Sequence, residues 1–349
     1  MKSKITCVET ANPSLRKDQK ELIELMRFQD YSERSKKFYN RFLSDDGVRS
    51  RTFALDSMEV LATENCDESV LRFEKMATEL AVRAGRKCLE SAGLAPQQID
   101  GLIITTCTGY LCPGLTSHVG EVLGISPDIF ILDVVGHGCG AAVPGLRIAD
   151  QFLLTKKDAN VLFIAVEVSS ATFVHGEAID LILSNSIFGD GAAACIVTNC
   201  EKSGWLLERH GCLLVPEHRE QLRFKTVNSR LNNVLGKDVP QIVARGVKEL
   251  LSRMQITQLP DTLVFHPGGR LILDTLQQEL NINPASLMAS RYVLSEYGNM
   301  SSPCVLFILK RWMDTTKFAD GTPALMVSYG AGVSVNAACL RWSEQERVL

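Results

Sequence analysis

The sequence lacks several features that define large classes of proteins. Its 349 residues contain no apolar run long enough for a membrane span, so none is expected. Basic residues form no dense block, and the net charge of −3 argues against a nucleic-acid partner. The start, MKSKITCVETANPS, has two lysines but no apolar core behind them, which argues against a secretion signal. These absences predict a cytoplasmic protein.

The 11 cysteines form neither a metal-binding nor a disulfide pattern. Cys107/Cys112 and Cys195/Cys200 are C-x4-C pairs without a histidine or a second cysteine pair in zinc-finger register. Disulfide scaffolds are short and secreted, and this chain is neither. We therefore predict no metal site and expect most of the cysteines to be small buried hydrophobic residues.

What the sequence does contain is a regular alternation of helical and strand-like segments. Residues 68–92 carry apolar positions at helical spacing and end before Gly93. Short apolar runs typical of buried strands lie at 101–106, 129–135, 161–166, 192–197, 262–266 and 324–329. Further helical patterns lie at 241–254, 268–280 and 302–313. This order predicts an α/β protein.

The two parts of the chain resemble each other. Asp100 opens the run GLIITT and Cys139 follows 39 positions later; Asp261 opens TLVFHP and Asn299 follows 38 positions later. Each of these later residues precedes a helical pattern. We interpret this as an internal duplication, although any α/β chain can produce such coincidences.

The boundary between the two halves is best placed in the least organised stretch, at about 198–211. The prediction is an N-terminal half at 1–200, which carries the candidate cysteine, and a C-terminal half at 201–349.

Residues 133–141, DVVGHGCGA, surround Cys139 with three glycines. Such a turn from strand to helix presents a nucleophile, and the helix N-terminus is expected to lower the thiol pKa. The same residues loosely match a dinucleotide-binding motif, but no acidic residue lies at the end of a second strand some 20 positions later, as that motif requires. The nucleophile interpretation is therefore favoured. Of the six histidines, His266 is the best candidate partner because it ends an apolar run just before Pro-Gly-Gly.

Four motifs together resemble the type III polyketide synthases, the chalcone-synthase-like enzymes, and a bacterial member in particular. They are GCGAA at Cys139, SIFGDGAAA at Phe188, HPGG at His266 and YGNMSS at Asn299. The resemblance implies the thiolase fold, a duplicated αβαβα layered sandwich, in a homodimer. It also implies coenzyme A thioesters as substrates and no separate cofactor.

The resemblance assigns roles to individual residues. Cys139 matches the acyl-accepting nucleophile, and His266 and Asn299 match the other two members of the triad. Phe188 matches one of two phenylalanines between the CoA tunnel and the cavity. Phe224 matches the second, although about nine extra residues, 226–236, separate it from the KDVP that follows.

Further positions match the cavity wall. Thr172, Ser301, Cys107 and Cys112 match lining residues; Cys107 stands where plant enzymes tend to have threonine, and Cys112 where a methionine reaches into the partner's cavity. Gly330 lies in SYGAG, which stands for the family's GFGPG.

The residues that would bind the CoA moiety match less well. Arg41 and Gly269 are the candidates, whereas the neighbouring Arg49 and Arg51 are expected to be solvated.

The implied function is decarboxylative condensation of malonyl-CoA onto an acyl group held on Cys139, followed by cyclisation. Because Cys107 and Cys112 suggest an apolar channel, we expect a medium or long fatty acyl starter that gives alkylresorcinols or alkylpyrones. A ketoacyl-ACP synthase III-like single condensation is one alternative, and a non-catalytic binding partner of a related synthase is another.

Overall fold

The computed structural model describes residues 2–27, 31–44 and 47–344. The strands are β1 (Lys4–Ala11), β2 (Leu15–Asp18), β3 (Ser50–Phe53), β4 (Gly101–Thr105), β5 (Phe130–Val134), β6 (Asn160–Glu167), β7 (Gly191–Thr198), β8 (Gly204–Leu214), β9 (Leu222–Val227), β10 (Arg230–Leu235), β11 (Thr262–Phe265), β12 (Pro323–Gly330) and β13 (Ser334–Ser343). The helices are α1 (Gln19–Arg27), α2 (Glu33–Leu43), α3 (Val60–Thr63), α4 (Cys66–Ala92), α5 (Leu115–Leu123), α6 (Ala142–Leu153), α7 (Ile179–Ile187), α8 (Val239–Arg253), α9 (Arg270–Glu279), α10 (Met288–Tyr297) and α11 (Cys304–Thr315).

The main sheet reads nearly the same from its centre outwards in both directions. Its order is β11-β12-β13-β8-β1-β7-β6-β4-β5, and β1 pairs with β8 at the centre. On one side, β1 pairs antiparallel with β7, β7 antiparallel with β6, and β6 parallel with β4. On the other side, β8 pairs antiparallel with β13, β13 antiparallel with β12, and β12 parallel with β11. Strand β5 extends one side only. This near-symmetry is the duplication predicted from the sequence.

The apolar side chains sort into layers around this sheet. Helices α6 and α11 share one central cluster with residues from strands of both halves. Helices α4 and α5 cover the outer face of the first half, and α8 and α9 cover the outer face of the second. The result is the five-layered α/β sandwich expected from the sequence.

Local signals explain why the long helix begins and ends where it does. Asn65 and Glu68 form a capping box at the start of α4, and Gly93 ends the helix with a φ of 65°. The expected helix over 68–92 is thus confirmed, as are the six expected strands at 101–106, 129–135, 161–166, 192–197, 262–266 and 324–329 and the helices at 241–254, 268–280 and 302–313, to within a few residues at their ends.

Two features differ from the expectation. The stretch 198–211, expected to be the least organised, contains most of the central strand β8, so the boundary at 200 stays a prediction. The extra residues 226–236 form most of a hairpin, β9–β10, which lies outside the main sheet. None of the described helices is long and apolar enough to cross a membrane.

Candidate active site

Cys139 lies on a single tight turn between β5 and α6. The turn, Gly138–Gly140, is closed by the Gly140 N–H, which donates to the carbonyl of His137 at 3.2 Å. Gly138 has a φ of 55°, which a residue with a side chain adopts only with strain. The glycines therefore permit the sharp turn that leaves the Cys139 thiol partly exposed to a cavity.

The second half of the chain supports this turn from behind. A Cβ on Gly330 would lie 2.3 Å from the carbonyl oxygen of His137 and 2.4 Å from the nitrogen of Gly140. Ser328 donates from its hydroxyl to the carbonyl of Gly140 at 2.8 Å. Gly330, predicted to shape the cavity wall, thus also allows β12 to approach the nucleophile turn.

His266 follows the last residue of β11 and is 1% exposed. Its backbone N–H donates to Val327 O at 2.9 Å, which continues the pairing with β12. Within the described residues neither imidazole nitrogen has a hydrogen-bond partner. The ring instead packs edge-to-face on Tyr329, with centroids 5.1 Å apart.

Asn299 lies in the loop between α10 and α11 and is 3% exposed. Its side-chain amide donates to Gly268 O at 3.0 Å, and its side-chain oxygen accepts from the Ser301 N–H at 2.8 Å. Its backbone forms a bridge with Phe188 at the end of α7. The amide is therefore held rigidly beside the turn that carries His266.

A cavity of about 840 Å³ brings the predicted triad together, because Cys139, His266 and Asn299 all line it. A smaller inner pocket of about 30 Å³ lies beyond Cys139 and Phe188. Four residues line both spaces and so form the passage between them: Cys139, Phe188, Leu222 and Leu235.

The structure places Phe224 differently from Phe188. Phe188 lines the passage, whereas Phe224 lines only the inner pocket, opposite its cross-strand neighbour Asn233. Leu222 and Leu235, on the same hairpin, line the passage instead, and the gating role of Phe224 stays a prediction. The sequence did not single out Asn233, because only the β9–β10 pairing turns it toward the pocket.

The other predicted wall residues are divided between sites. Cys107 and Ser301 line the inner pocket, with their side-chain sulfur and oxygen 3.2 Å apart. Thr172 lines a second pocket of about 30 Å³ behind Phe188. Cys112 is exposed and lies outside the lining of these cavities.

Arg41 and Gly269, predicted to bind the CoA moiety, both line the large cavity. Lys237 and Arg270 line it too, and all three cationic residues are exposed. The cavity lining therefore has three cationic residues and one acidic residue, Asp180, and Lys237 and Arg270 were not anticipated.

Arg51 contradicts the expectation that it is solvated. It is 3% exposed, and its guanidinium donates to Gln19 Oε1 at 3.0 Å, to Asn185 O at 2.8 Å and to Phe188 O at 2.7 Å. Burial lowers its pKa to about 9, so it stays a cation at neutral pH. Arg51 thereby neutralises the carbonyl end of α7, where Phe188 follows.

Glu167 is another residue that the sequence did not reveal. Glu167 is fully buried at the end of β6. Its carboxylate accepts hydrogen bonds from the N–H groups of Cys107 and Thr108 and from the hydroxyl of Ser302. It connects the loop after β4 to the loop that carries Asn299. Among the described residues, no group of three or more His, Cys, Asp or Glu side chains is arranged to hold a metal ion.

The expected lowering of the Cys139 pKa is wrong. Burial raises the pKa of the thiol to about 12, and hydrogen bonds from Ser301 and Asn299 only partly oppose this rise. Burial also lowers the pKa of His266 to about 3. The helix N-terminus is too weak to offset desolvation in a site enclosed by both halves of the chain. Both shifts favour a thiol and a neutral imidazole in the substrate-free site.

Comparisons with known proteins match the whole architecture. The family described as chalcone and stilbene synthases, C-terminal domain, matches residues 209–343. The family described as FAE1/type III polyketide synthase-like protein matches residues 6–207.

Individual relatives agree with these families. A 1,3,6,8-tetrahydroxynaphthalene synthase of Streptomyces griseus is 27% identical over 87% of this chain and 83% of its own. A phloroglucinol synthase of Pseudomonas fluorescens is 25% identical over 87% of this chain and 88% of its own. The crystal structure of the tetrahydroxynaphthalene synthase of Streptomyces coelicolor A3(2) superposes with a TM-score of 0.89, at 26% identity over 97% of this chain and 99% of that one. Single condensation and a non-catalytic role are therefore not favoured. The chain belongs to the type III polyketide synthases, acyltransferases that condense malonyl-CoA.

Proposed function

We propose that Cys139, His266 and Asn299 are the catalytic residues of this synthase and that its starter is a short acyl group, such as malonyl itself. The observation that carries this proposal is the shape of the site. The three side chains line one large cavity, and the only space beyond Cys139 among the described pockets is about 30 Å³ on each side of Phe188.

The first step is acyl transfer to sulfur. Because the resting pair is neutral, the Cys139 thiol gives its proton to His266 as the sulfur attacks the thioester carbonyl of the starter. The carbon–sulfur bond to CoA breaks, and CoA leaves as a thiol once it has regained that proton. The acyl group is then a thioester of Cys139.

The second step is the loss of CO₂ from malonyl-CoA. With its thioester carbonyl between His266 and Asn299, malonyl-CoA receives two N–H donors where the enolate oxygen develops. The C–C bond to the carboxylate breaks, and the electron pair enters the enolate. The enolate carbon then attacks the acyl thioester, and the Cys139 sulfur leaves as a thiolate that takes up one proton from solvent.

Separate variants test these roles. His266→Gln and Asn299→Ala should reduce decarboxylation of malonyl-CoA more than they reduce covalent loading of a radiolabelled acyl-CoA. Cys139→Ala should abolish loading and keep the fold, since alanine fits the same turn. Normal decarboxylation by Asn299→Ala, or covalent labelling of Cys139→Ala at the wild-type rate, would contradict the assignment.

The size of the inner pockets argues against the fatty acyl starter expected from the sequence. An engineered cavity of about 150 Å³ holds one benzene molecule. Each inner pocket has only about 30 Å³, so neither gives a long acyl chain on Cys139 a channel beside the large cavity. The relatives above are named as synthases of small hydroxylated aromatic compounds. The test is kcat/KM across acyl-CoA chain lengths together with the masses of the products. A kcat/KM that increases with the length of the acyl chain would overturn the short-starter proposal. A product that contains only one malonyl-derived unit in addition to the starter would favour single condensation.

The proposal also assigns the residues that bind the CoA moiety of the substrates, and it includes no separate cofactor. Arg41, Lys237 and Arg270 at the mouth of the cavity would contact the phosphates, and Gly269 at the start of α9 would lie beside the pantetheine arm. Combined replacement of Arg41 and Lys237 by methionine should raise KM for malonyl-CoA and leave kcat little changed. A fall in kcat alone would refute this placement.

A homodimer is also proposed, supported by the free side of the edge strand β5. Ile131 is 55% exposed and Val135 47% exposed along this edge, and Tyr110 on the nearby loop is 74% exposed. Cys112 is exposed on that same loop, where it could reach a partner subunit. Apolar side chains in this density on an unpaired edge are typical of an interface. Sedimentation should give a dimer for the wild type and a monomer for Ile131→Lys; a wild-type monomer would rule the interface out. The cytoplasmic location stays a prediction.

A further inference from the structure

The end of β12 carries a hydroxyl where the family motif quoted above, GFGPG, has phenylalanine. Tyr329 is 2% exposed. Its hydroxyl donates to the carbonyl of His266 at 2.6 Å and accepts from the N–H of Gly268 at 3.2 Å. Burial raises the pKa of this phenol, so it remains a neutral donor. One oxygen therefore bridges the two residues on either side of Pro267.

The bridged turn has two tasks in the site. It carries the imidazole of His266 into the cavity, and it offers the carbonyl of Gly268 to the side-chain amide of Asn299 at 3.0 Å. The Tyr329 hydroxyl is thus bound to the backbone that fixes both donors of the decarboxylation step.

His266 has few other means of holding its orientation. A catalytic histidine usually binds a carboxylate or a carbonyl through its second ring nitrogen, and that contact fixes the ring. Here both ring nitrogens are buried without a partner among the described residues. The ring of Tyr329 packs edge-to-face on the imidazole at 5.1 Å and 72°, while its hydroxyl holds the backbone of the same residue.

Gly268 leaves room for the phenol beside the turn. A Cβ at this position would lie 2.9 Å from Ile272 Cδ1, 3.1 Å from the Tyr329 ring and 3.2 Å from its oxygen. An alanine here would therefore press on the Ile272 and Tyr329 side chains.

We propose that Tyr329 is a positioning residue of this synthase, which aligns His266 and Asn299 through its hydroxyl bridge to the 266–268 turn. The proposal rests on the proposed function, since it assumes that these two side chains stabilise the enolate. A displacement of well under an ångström in such donors is enough to slow a reaction markedly.

The test is Tyr329→Phe, which removes one oxygen and keeps the ring. We expect kcat for malonyl-CoA decarboxylation to fall about tenfold with KM within about twofold, because the loss falls on alignment for the transition state. Covalent loading of Cys139 should change less than decarboxylation. Tyr31→Phe is the matched control. It also removes a buried tyrosine hydroxyl with one good hydrogen bond, to His175 Nδ1 at 3.0 Å, but away from the turn.

The outcomes separate this proposal from the proposed function. If His266→Gln and Asn299→Ala are impaired in decarboxylation while Tyr329→Phe equals the wild type, the positioning role is refuted and the triad stands. If His266→Gln and Asn299→Ala decarboxylate normally, the proposed function itself fails. The positioning role would also be refuted if Tyr329→Phe and Tyr31→Phe lost equal amounts of decarboxylation activity, in proportion to their falls in melting temperature. General destabilisation would then explain both losses.

A second variant covers the case in which Tyr329→Phe does not fold. Gly268→Ala keeps the phenol but adds a methyl group 3.1 Å from its ring and 2.9 Å from Ile272 Cδ1. Because this methyl group disturbs the contact between the phenol and the turn, the variant should show the same selective loss of decarboxylation. Wild-type decarboxylation by a folded Gly268→Ala would overturn the proposal.

Discussion

The protonation state of the catalytic pair predicts how Cys139 reacts with an alkylating agent. In the substrate-free enzyme, carbamidomethylation of this thiol by iodoacetamide should accelerate about tenfold per pH unit from about pH 6 to about pH 9, since only the thiolate reacts. Replacing His266 with glutamine should leave this profile almost unchanged.

The magnitude follows from the burial of both groups. With the Cys139 pKa at about 12, the thiolate fraction at neutral pH is on the order of 10⁻⁵. With the His266 pKa at about 3, proton transfer from thiol to imidazole is opposed by about nine pKa units. Even at a separation as short as about 4 Å, two charges at an effective dielectric constant of about 20 would recover only about 4 kcal/mol, or roughly three of those units. The neutral pair therefore remains favoured.

The assay is peptide mass spectrometry after timed labelling, with the exposed Cys212 as an internal reference in every sample. A Cys139 rate that is flat across this pH range in the wild type, and becomes pH-dependent in His266→Gln, would refute the reasoning. That result would mean that the two residues already form a thiolate–imidazolium pair at rest.

Two packing contacts give further predictions. Gly330→Ala should lose about 1–3 kcal/mol of unfolding free energy and load acyl groups poorly, because its Cβ would clash with backbone atoms of the nucleophile turn. The control is Gly120→Ala in helix α5, which should be neutral or stabilising because the nearest atom to its Cβ would be 3.6 Å away. Wild-type loading by Gly330→Ala would contradict the predicted clash. Arg51→Met should cost about 1–3 kcal/mol in a calorimetric melt and slow decarboxylation, because buried carbonyl groups at the end of α7 lose their donor. The exposed Arg49→Met should change the melt much less than Arg51→Met does, and equal effects of the two arginine variants would show that burial does not distinguish them.

The sequence predicted the parts of the site that depend on residues close together in the chain. The glycines around Cys139 indicated a tight turn, and the apolar run before His266 indicated the end of a strand, because backbone geometry depends on neighbouring residues. Nearly equal spacings, of 39 positions from Asp100 to Cys139 and 38 from Asp261 to Asn299, were enough to suggest a duplicated fold. These features need no knowledge of distant contacts.

Other features could not be predicted because they arise between distant segments. Strand β1, at the centre of the sheet, reads KITCVETA, and its mixture of polar and apolar residues gives no continuous apolar run. Arg51 looks like a surface residue until the end of α7 and Gln19 fold over it. The pKa of Cys139 depends on how deeply both halves bury the thiol, and the local helix argument therefore gave the wrong sign.

A neutral resting pair suits both steps proposed for this site. During loading, a neutral His266 can accept the proton of the thiol, so a thiolate forms only when a thioester is in place. In the acyl-enzyme no thiol remains, and the imidazole can then present an N–H to the malonyl carbonyl beside the amide of Asn299. A permanently charged imidazolium would bind the malonyl carboxylate in its ground state and so oppose the loss of CO₂. Burial of His266 without a charged partner thus favours the decarboxylation step, and it leaves the orientation of the ring to the packing and backbone contacts of Tyr329.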